Sequence, residues 1–288
     1  MIQASLSENT KHTYQTALRN FNRYRETYAL ALSWPIPIQH IILYIAFCFE
    51  KNYSPATIMA YMSGISFFHK INGYPDPSNN FAVQKMLEGC KRSRKSKDLR
   101  SPISLSMLNS ILLALKHICY SEYETILFKT VFSMAYFGLF RVSELVGTNL
   151  HDRALTKNDV VLERNASAVL IQLRVTKTNQ IGSPTSIRIS QNTENSVMFG
   201  LLKTYMSLLP TKAYFFFCHA DKKPLTRYQF SSVLSKACKL TGFSSKTIKS
   251  HSFRIGRATD LAIRNVPDDV IKQLGRWSSN SYARYIRL

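Results

Sequence analysis

Acidic residues are scarce in this chain. Asp and Glu number 17 in 288 residues against 38 Lys and Arg, a formal net charge of +21. Such an excess favours polyanionic partners, and counterion release makes binding to DNA strong and salt-dependent. Ribosomal proteins, nucleases and transcription factors share that charge, so it names a class of partner and no activity. Cysteine is sparse too. Cys48, Cys90, Cys119, Cys218 and Cys238 are odd in number, widely spread and without a C-x-x-C pair. That argues against a disulfide framework and a structural zinc site and leaves reduced core thiols. Long hydrophobic runs are missing: the longest, Ile41 to Phe49, is less than half of the roughly 20 residues a membrane helix requires. No charged-then-apolar leader opens the chain. A soluble intracellular protein without membrane contact is expected, nuclear if its host is eukaryotic. Internal repeats and low-complexity segments are absent, and no cluster of metal-ligand residues stands out, so neither metal nor cofactor is expected.

The length suits two domains or one large one. In the first ninety residues Tyr14, Leu18, Phe21, Tyr24 and Tyr28 recur at helical spacing while Lys11, Arg19, Arg23 and Arg25 point elsewhere. Pro37 opens a second helix through Phe49. Ser54-Pro55 is an N-cap followed by proline at the first helical position, and that helix stops at Asn72-Gly73. A fourth covers about Phe81 to Gly89. Lys91-Arg92-Ser93-Arg94-Lys95-Ser96-Lys97 and Arg100-Ser101-Pro102 then form a basic, apolar-free stretch that reads as a linker. It suits a solvated loop, a nuclear-import signal or contact with DNA phosphates; the overall charge favours the phosphates. Beyond it, Ser104 and Ser121 start helices, Ser121 with Glu124 as a capping box. Ile126 to Phe140 is a core helix that delivers Arg141. From Asp159 to Ser190 the pattern turns to β, with Val160 to Leu162, Ala168 to Val175 and Thr185 to Ile189 as strands. Helices resume at Thr193, Thr226, Ser250 and near Pro267. The division expected is a helical domain over 1–92, a basic linker over 93–102 and a second domain over 103–288.

Chemistry-bearing residues gather in three places in this second part. Gly138-Leu139-Phe140-Arg141-Val142-Ser143-Glu144-Leu145 ends the apolar helix, and Arg141 with Glu144 suits a buried ion pair three residues apart as well as a site. His251 and Arg254 share a helix face at the same spacing. The run Gly275-Arg276-Trp277-Ser278-Ser279-Asn280-Ser281-Tyr282-Ala283-Arg284-Tyr285-Ile286-Arg287 offers two tyrosines. Each motif alone fits ordinary helix; order and spacing together say more.

From Arg141 onward the chain resembles the catalytic domain of tyrosine site-specific recombinases and integrases. Gly138 to Leu145 is similar to the family's first arginine box, and His251-x-x-Arg254, Gly256, Leu274-Gly275 and Tyr285-Ile286-Arg287 to its second. Lys177, in Val175-Thr176-Lys177-Thr178-Asn179 before Gly182, stands where the family carries a lysine on a β-hairpin. Residues 7 to 90 resemble the family's helical DNA-clamping domain through Asn9-Thr10-x-x-x-Tyr14 and helix count. The chain departs from the family after Leu-Gly, where Arg276 takes the usual histidine's place, nine residues before Tyr285. Tryptophan serves in some members, so Arg276 and Trp277 both stay open. Gly-Arg-Trp and the short tail resemble recombinases of eukaryotic mobile elements, of Crypton or DIRS type.

The resemblance implies a mainly α fold with a small antiparallel β-sheet, arranged as a two-domain, C-shaped clamp on duplex DNA. It implies cleavage and rejoining through a 3′-phosphotyrosine, for integration or excision of a mobile element. Tyr285 is the nucleophile it implies, with Tyr282 as rival, and Lys177 the general acid. His251 accepts or relays a proton, and Glu144 orients the basic residues from behind. Arg141 and Arg254 suit the charge that gathers on the equatorial oxygens of a five-coordinate phosphorus, at about 3–4 kcal/mol for each fixed donor. A homotetramer on paired DNA sites is expected. Only three residues follow Tyr285, too few for a helix that docks on a neighbour, so cleavage in cis by a protein mainly monomeric off DNA is expected. A type IB topoisomerase and a non-catalytic DNA-binding descendant are the alternatives.

Neutralising Lys91, Arg92, Arg94, Lys95 and Lys97 together is expected to weaken DNA binding across all sequences and to flatten its salt dependence. An unchanged slope in a salt titration would return these residues to the status of a solvated linker.

Overall fold

The computed structural model describes residues 5–94, 98–147, 154–163, 165, 167–174 and 184–287. The chain divides into two compact units, Met1–Asp98 and Leu99–Leu288.

The first unit is four helices, α1 (Glu8–Thr27), α2 (Ile38–Glu50), α3 (Pro55–Ile71) and α4 (Phe81–Ser93). Their starts follow local chemistry. Ser7 caps α1 through the N–H of Thr10, Ser54 caps α3 through that of Thr57, and Asn80 caps α4 through Ala82 and Val83. The α3 helix ends at Asn72, and Gly73 follows at φ +73°. Phe21 and Tyr24 of α1 join Ile41, Tyr44, Ile45 and Cys48 of α2, Ile58, Met62 and Ile65 of α3, and Val83 of α4 in one buried core.

Two expectations change in this unit. Arg25 is buried, not turned to solvent, because it lies one helical turn from Phe21 and the chain beyond α1 folds back over it. Its guanidinium donates to the carbonyls of Ala31 and Ser33 at 3.2 Å each and to Asn22 Oδ1 at 2.8 Å, 4.9 Å from the centre of the Phe21 ring. The fourth helix runs past Gly89 to Ser93, so Lys91 and Arg92 are helical rather than part of a linker. Arg94 caps that helix, stacks 3.8 Å from the Phe49 ring and reaches the Tyr53 carbonyl. Lys95 and Lys97 lie outside the described residues.

The second unit is built around α6 (Glu122–Phe137), buried along most of its length from Leu127 to Tyr136. Around it lie α5 (Leu105–Ala114), α8 (Ser196–Leu208), α9 (Arg227–Leu240) and α10 (Ser252–Ile263). Phe132 sets its ring 4.8 Å from Phe230 of α9 and 5.3 Å from Phe253 of α10. One short helix, α7 (Val142–Leu145), follows α6, and α11 (Asp268–Gly275) follows α10. Strands β1 (Val160–Leu162), β2 (Ala168–Leu173) and β3 (Thr185–Ser190) form an antiparallel sheet in that order, Ile171 facing Val160 on one side and Ile187 on the other. The fold is thus mainly helical with a small antiparallel sheet. Among the described residues no helix is long and apolar enough to cross a membrane, and no group of His, Cys, Asp and Glu suits a metal ion.

Local chemistry again explains the departures. Ser121 caps α6 through the N–H of Glu124, but the Glu124 carboxylate turns to His219 Nδ1 at 2.8 Å instead of closing a capping box. The sixth helix stops at Phe137, short of Phe140. There Leu139 takes a left-handed φ of +50°, and the Phe140 ring folds back so tightly that a Cβ on Gly138 would lie 2.0 Å from it. The eighth helix begins at Ser196 rather than Thr193, because Asn192 and Asn195 bond each other's backbone N–H across the turn.

Helix α10 docks on the segment before α5 with no room to spare. Ile103 N–H donates to the Ser252 carbonyl at 3.1 Å, and a Cβ at Gly256 would come within 1.8 Å of the Ile103 oxygen. Gly256→Ala is therefore expected to cost about 1–3 kcal/mol by overpacking, seen as a lower midpoint in thermal unfolding. An unchanged midpoint would show that α10 can withdraw from Ile103 freely.

Candidate active site

Two helix C-termini meet at the site. The sixth helix ends with Leu139 N–H on the Tyr136 carbonyl and Phe140 N–H on that of Ala135; α11 ends with Arg276 N–H on Gln273 and Trp277 N–H on Lys272. Both are Schellman ends, and each sets a non-glycine residue in the left-handed region, Leu139 at φ +50° and Arg276 at φ +56°. The last carbonyls of a helix carry partial negative charge and need donors. Here guanidiniums supply them.

Arg254, fully buried on α10, donates from Nη1 to the Leu139 carbonyl and from Nη2 to that of Gly275. Arg276 donates from Nη1 to Gly138 and Leu274 at 3.0 and 3.2 Å, and from Nη2 to Leu139 and Glu144 Oε2 at 3.0 Å each. Its guanidinium lies 4.9 Å from the Phe140 ring centre. Arg141 caps α7; its Nη1 donates to Glu144 Oε1 at 2.7 Å and its backbone N–H to Oε2 at 2.9 Å. The ion pair between Arg141 and Glu144 is therefore real, and it is one half of a bridge that Arg276 completes.

Charge governs this cluster. Burial opposes ionisation of Glu144, yet Arg276 and Arg141 outweigh it and hold the carboxyl below its usual range. Burial, with Arg141 and Arg276 close by, lowers the pKa of Arg254. Burial also lowers that of Arg276, against the pull of Glu144. Three guanidiniums against one carboxylate leave an excess of positive charge in a desolvated place. Among the described residues Arg254 Nε, Arg276 Nε and Trp277 Nε1 are buried N–H donors without a hydrogen-bond partner, a costly condition that, at Arg254 and Trp277, suits a site made for an anion.

The aromatic side of the cluster brings in the tyrosine. Trp277 covers Arg254, whose Cζ lies 4.2 Å from the indole centre and 5.5 Å from that of Tyr285. The Tyr285 ring sits 4.9 Å from both His251 and Trp277. His251 is at the N-cap of α10, one turn before Arg254. Gly275 makes this stack possible: a Cβ there would stand 1.7 Å from the indole. Tyr282 packs 6.5 Å from Trp277 but turns its hydroxyl elsewhere. It is buried, donates its hydroxyl to Asp268, which raises its pKa, and lies beneath Lys272 at 4.8 Å.

Arg141, Glu144, His251, Arg254, Arg276, Trp277 and Tyr285 thus share one locality, though 144 residues separate the first from the last. Lys177 lies outside the described residues. Sequence reasoning missed the backbone carbonyls of Gly138, Leu139 and Gly275. It also missed the ion pair of Arg257, one turn beyond Arg254, with Glu194 at 2.5 Å. The glycines at 138 and 275 are the only trace the carbonyls leave in the sequence.

Comparison with known proteins gives a consistent picture. The profile of the phage integrase family matches residues 104–288. No curated protein matches the chain in sequence. Among solved structures, the Tn1549 transposon integrase in complex with circular intermediate DNA is 16% identical with a TM-score of 0.66, over 98% of this chain and 91% of that one. A lambda integrase dimer bound to a COC′ core site is 17% identical with a TM-score of 0.69, over 99% and 74%. The XerH site-specific recombinase bound to its difH substrate is 15% identical with a TM-score of 0.67, over 96% and 75%. At these identities the likeness is one of fold.

Proposed function

The chain belongs to the phage integrase family and is a tyrosine recombinase that breaks and rejoins DNA, and we propose that it does so with Tyr285 as nucleophile. The observation that carries this reading is the position of the Tyr285 ring against His251, Trp277 and Arg254. Tyr285 Oη attacks phosphorus, the bond to the 5′ oxygen breaks, and a 3′-phosphotyrosine forms. A phenol, with an ordinary pKa of about 10, needs its proton taken, and His251 is the group alongside to accept it. Arg141 and Arg254 donate to the non-bridging oxygens. The leaving 5′ oxygen takes a proton from Lys177, the role that the family resemblance assigns. The phosphotyrosine conserves the bond energy, so attack by a 5′-hydroxyl reverses the step and joins the strand.

Of Arg276 and Trp277, Trp277 is the better phosphate donor. Among the described residues its indole N–H has no partner, whereas both Nη atoms of Arg276 are occupied by protein acceptors and only its Nε is left. The substrate is duplex DNA, with phosphate contacts from the basic residues Lys91, Arg92, Arg94, Lys95 and Lys97. Strand exchange between paired sites, by a homotetramer assembled on them, serves integration or excision of a mobile element. The Tn1549 integrase, a transposon enzyme, supports the last point.

Tyr285→Phe is expected to abolish the covalent protein–DNA adduct on a nicked duplex while leaving DNA affinity nearly intact. Tyr282→Phe, which loses one hydrogen bond to Asp268, should keep the adduct; the reverse result would move the nucleophile to Tyr282.

Trp277→Phe keeps an aromatic ring over Arg254 but removes the indole donor. Adduct formation should slow by about 100-fold, the scale of one lost transition-state donor. An undiminished rate would remove Trp277 from phosphate binding.

A further inference from the structure

Arg276 occupies a backbone position that normally falls to glycine, the left-handed residue of a Schellman end. A long side chain accepts that strain here, and what the side chain does explains why. Its two Nη atoms carry four hydrogens and meet four protein acceptors: the carbonyls of Gly138 and Leu274 on Nη1, and the Leu139 carbonyl and Glu144 Oε2 on Nη2. Arg254 differs. Among the described residues each of its Nη atoms meets a single carbonyl, so a hydrogen remains on each, whereas on Arg276 only Nε is left without an acceptor.

Arg276 also shares a partner with each of the other two arginines. Leu139 O accepts from Arg254 and Arg276, and Glu144 accepts from Arg141 and Arg276. The turn that presents Arg141 is thereby tied to the end of α11, and the next residue after Arg276 is Trp277, the cover of Arg254.

We propose that Arg276 is a positioning residue: it sets Arg141, Arg254 and Trp277 at fixed separations by clamping the 138–141 turn to the end of α11, and does not itself contact DNA. This rests on the reading of Tyr285 as the nucleophile. Loss of the clamp leaves each group in place on its own element but loosens their mutual geometry, so it acts on the reaction rate and not on DNA affinity.

The decisive variant is Arg276→Gly, because glycine favours the backbone found here and the fold should survive. The probe is a nicked duplex recovered, by its covalent adduct with the wild-type protein, from a pool randomised around the nick. Arg276→Gly should leave DNA affinity unchanged and the protein folded at the assay temperature, with a lower thermal midpoint because the Gly138 carbonyl and Glu144 each lose a donor, while slowing single-turnover adduct formation by about 10–100-fold, the range for groups that orient a reacting residue. Arg276→Lys, which keeps the charge but not the four-bond reach, should fall between glycine and wild type. Because Arg276 acts through Glu144, the double variant Arg276→Gly/Glu144→Gln should be no slower than the slower single variant. A wild-type rate for Arg276→Gly, a loss of affinity matching its loss of rate, or multiplying losses in the double variant would each overturn the proposal. Failure of the nucleophile assignment looks different: the wild-type adduct would then persist in Tyr285→Phe.

Discussion

Two helices end against each other in this protein, and the negative ends of α6 and α11 set the terms for all that surrounds them. Carbonyls left over at a helix C-terminus need donors, and most helices find them in water. At this junction Gly138, Leu139 and Gly275 are buried, and Arg254 and Arg276 supply the donors to their carbonyls. The helix ends thereby help to stabilise guanidiniums in a desolvated interior, where an isolated charge would be prohibitive. Glu144 completes the balance by bridging Arg141 and Arg276. The cluster keeps enough surplus positive charge for a phosphodiester without flying apart when none is bound.

Packing supports this electrostatic arrangement. Gly256 lets α10 press on the Ile103 backbone, and Gly275 lets the Trp277 indole lie back over the end of α11. Arg254 is thus held between two helix ends on one side and an aromatic cover on the other. Tyr285 and Tyr282 share a 3-10 segment (Asn280–Tyr285) and both pack on Trp277, but Tyr285 meets His251 while the Tyr282 hydroxyl goes to Asp268. A hydrogen bond on Tyr282 anchors the segment that carries Tyr285.

The sequence revealed what local chemistry dictates. Ser7 apart, the caps at Ser54, Ser104, Ser121 and Thr226, the proline at the start of α3 and the three strands could be read from residue type and spacing. The site's side chains were legible only as a set, through the order in which arginine, histidine and tyrosine recur. Contacts made across long separations left no such mark. Arg25 looked like a surface residue because two of its acceptors are backbone carbonyls, which every residue possesses, and the third is the neutral amide of Asn22. Glu124 looked like half of a capping box until His219, 95 residues away, claimed its carboxylate. The break at Leu139 was hidden because apolar residues continue through Phe140, and periodicity cannot tell a buried helix from a buried turn.

The buried donors on Arg254 and Trp277 that lack a partner among the described residues bear on the stability of the free protein. Buried N–H groups without acceptors raise the free energy of the folded state, by about 1–3 kcal/mol each where nothing compensates. On the reading that these donors take a phosphate, its binding relieves that penalty only in the folded form, and folding and DNA binding are thermodynamically linked at this one spot. Part of what a binding experiment would record as affinity for DNA is release of tension already present in the unbound site.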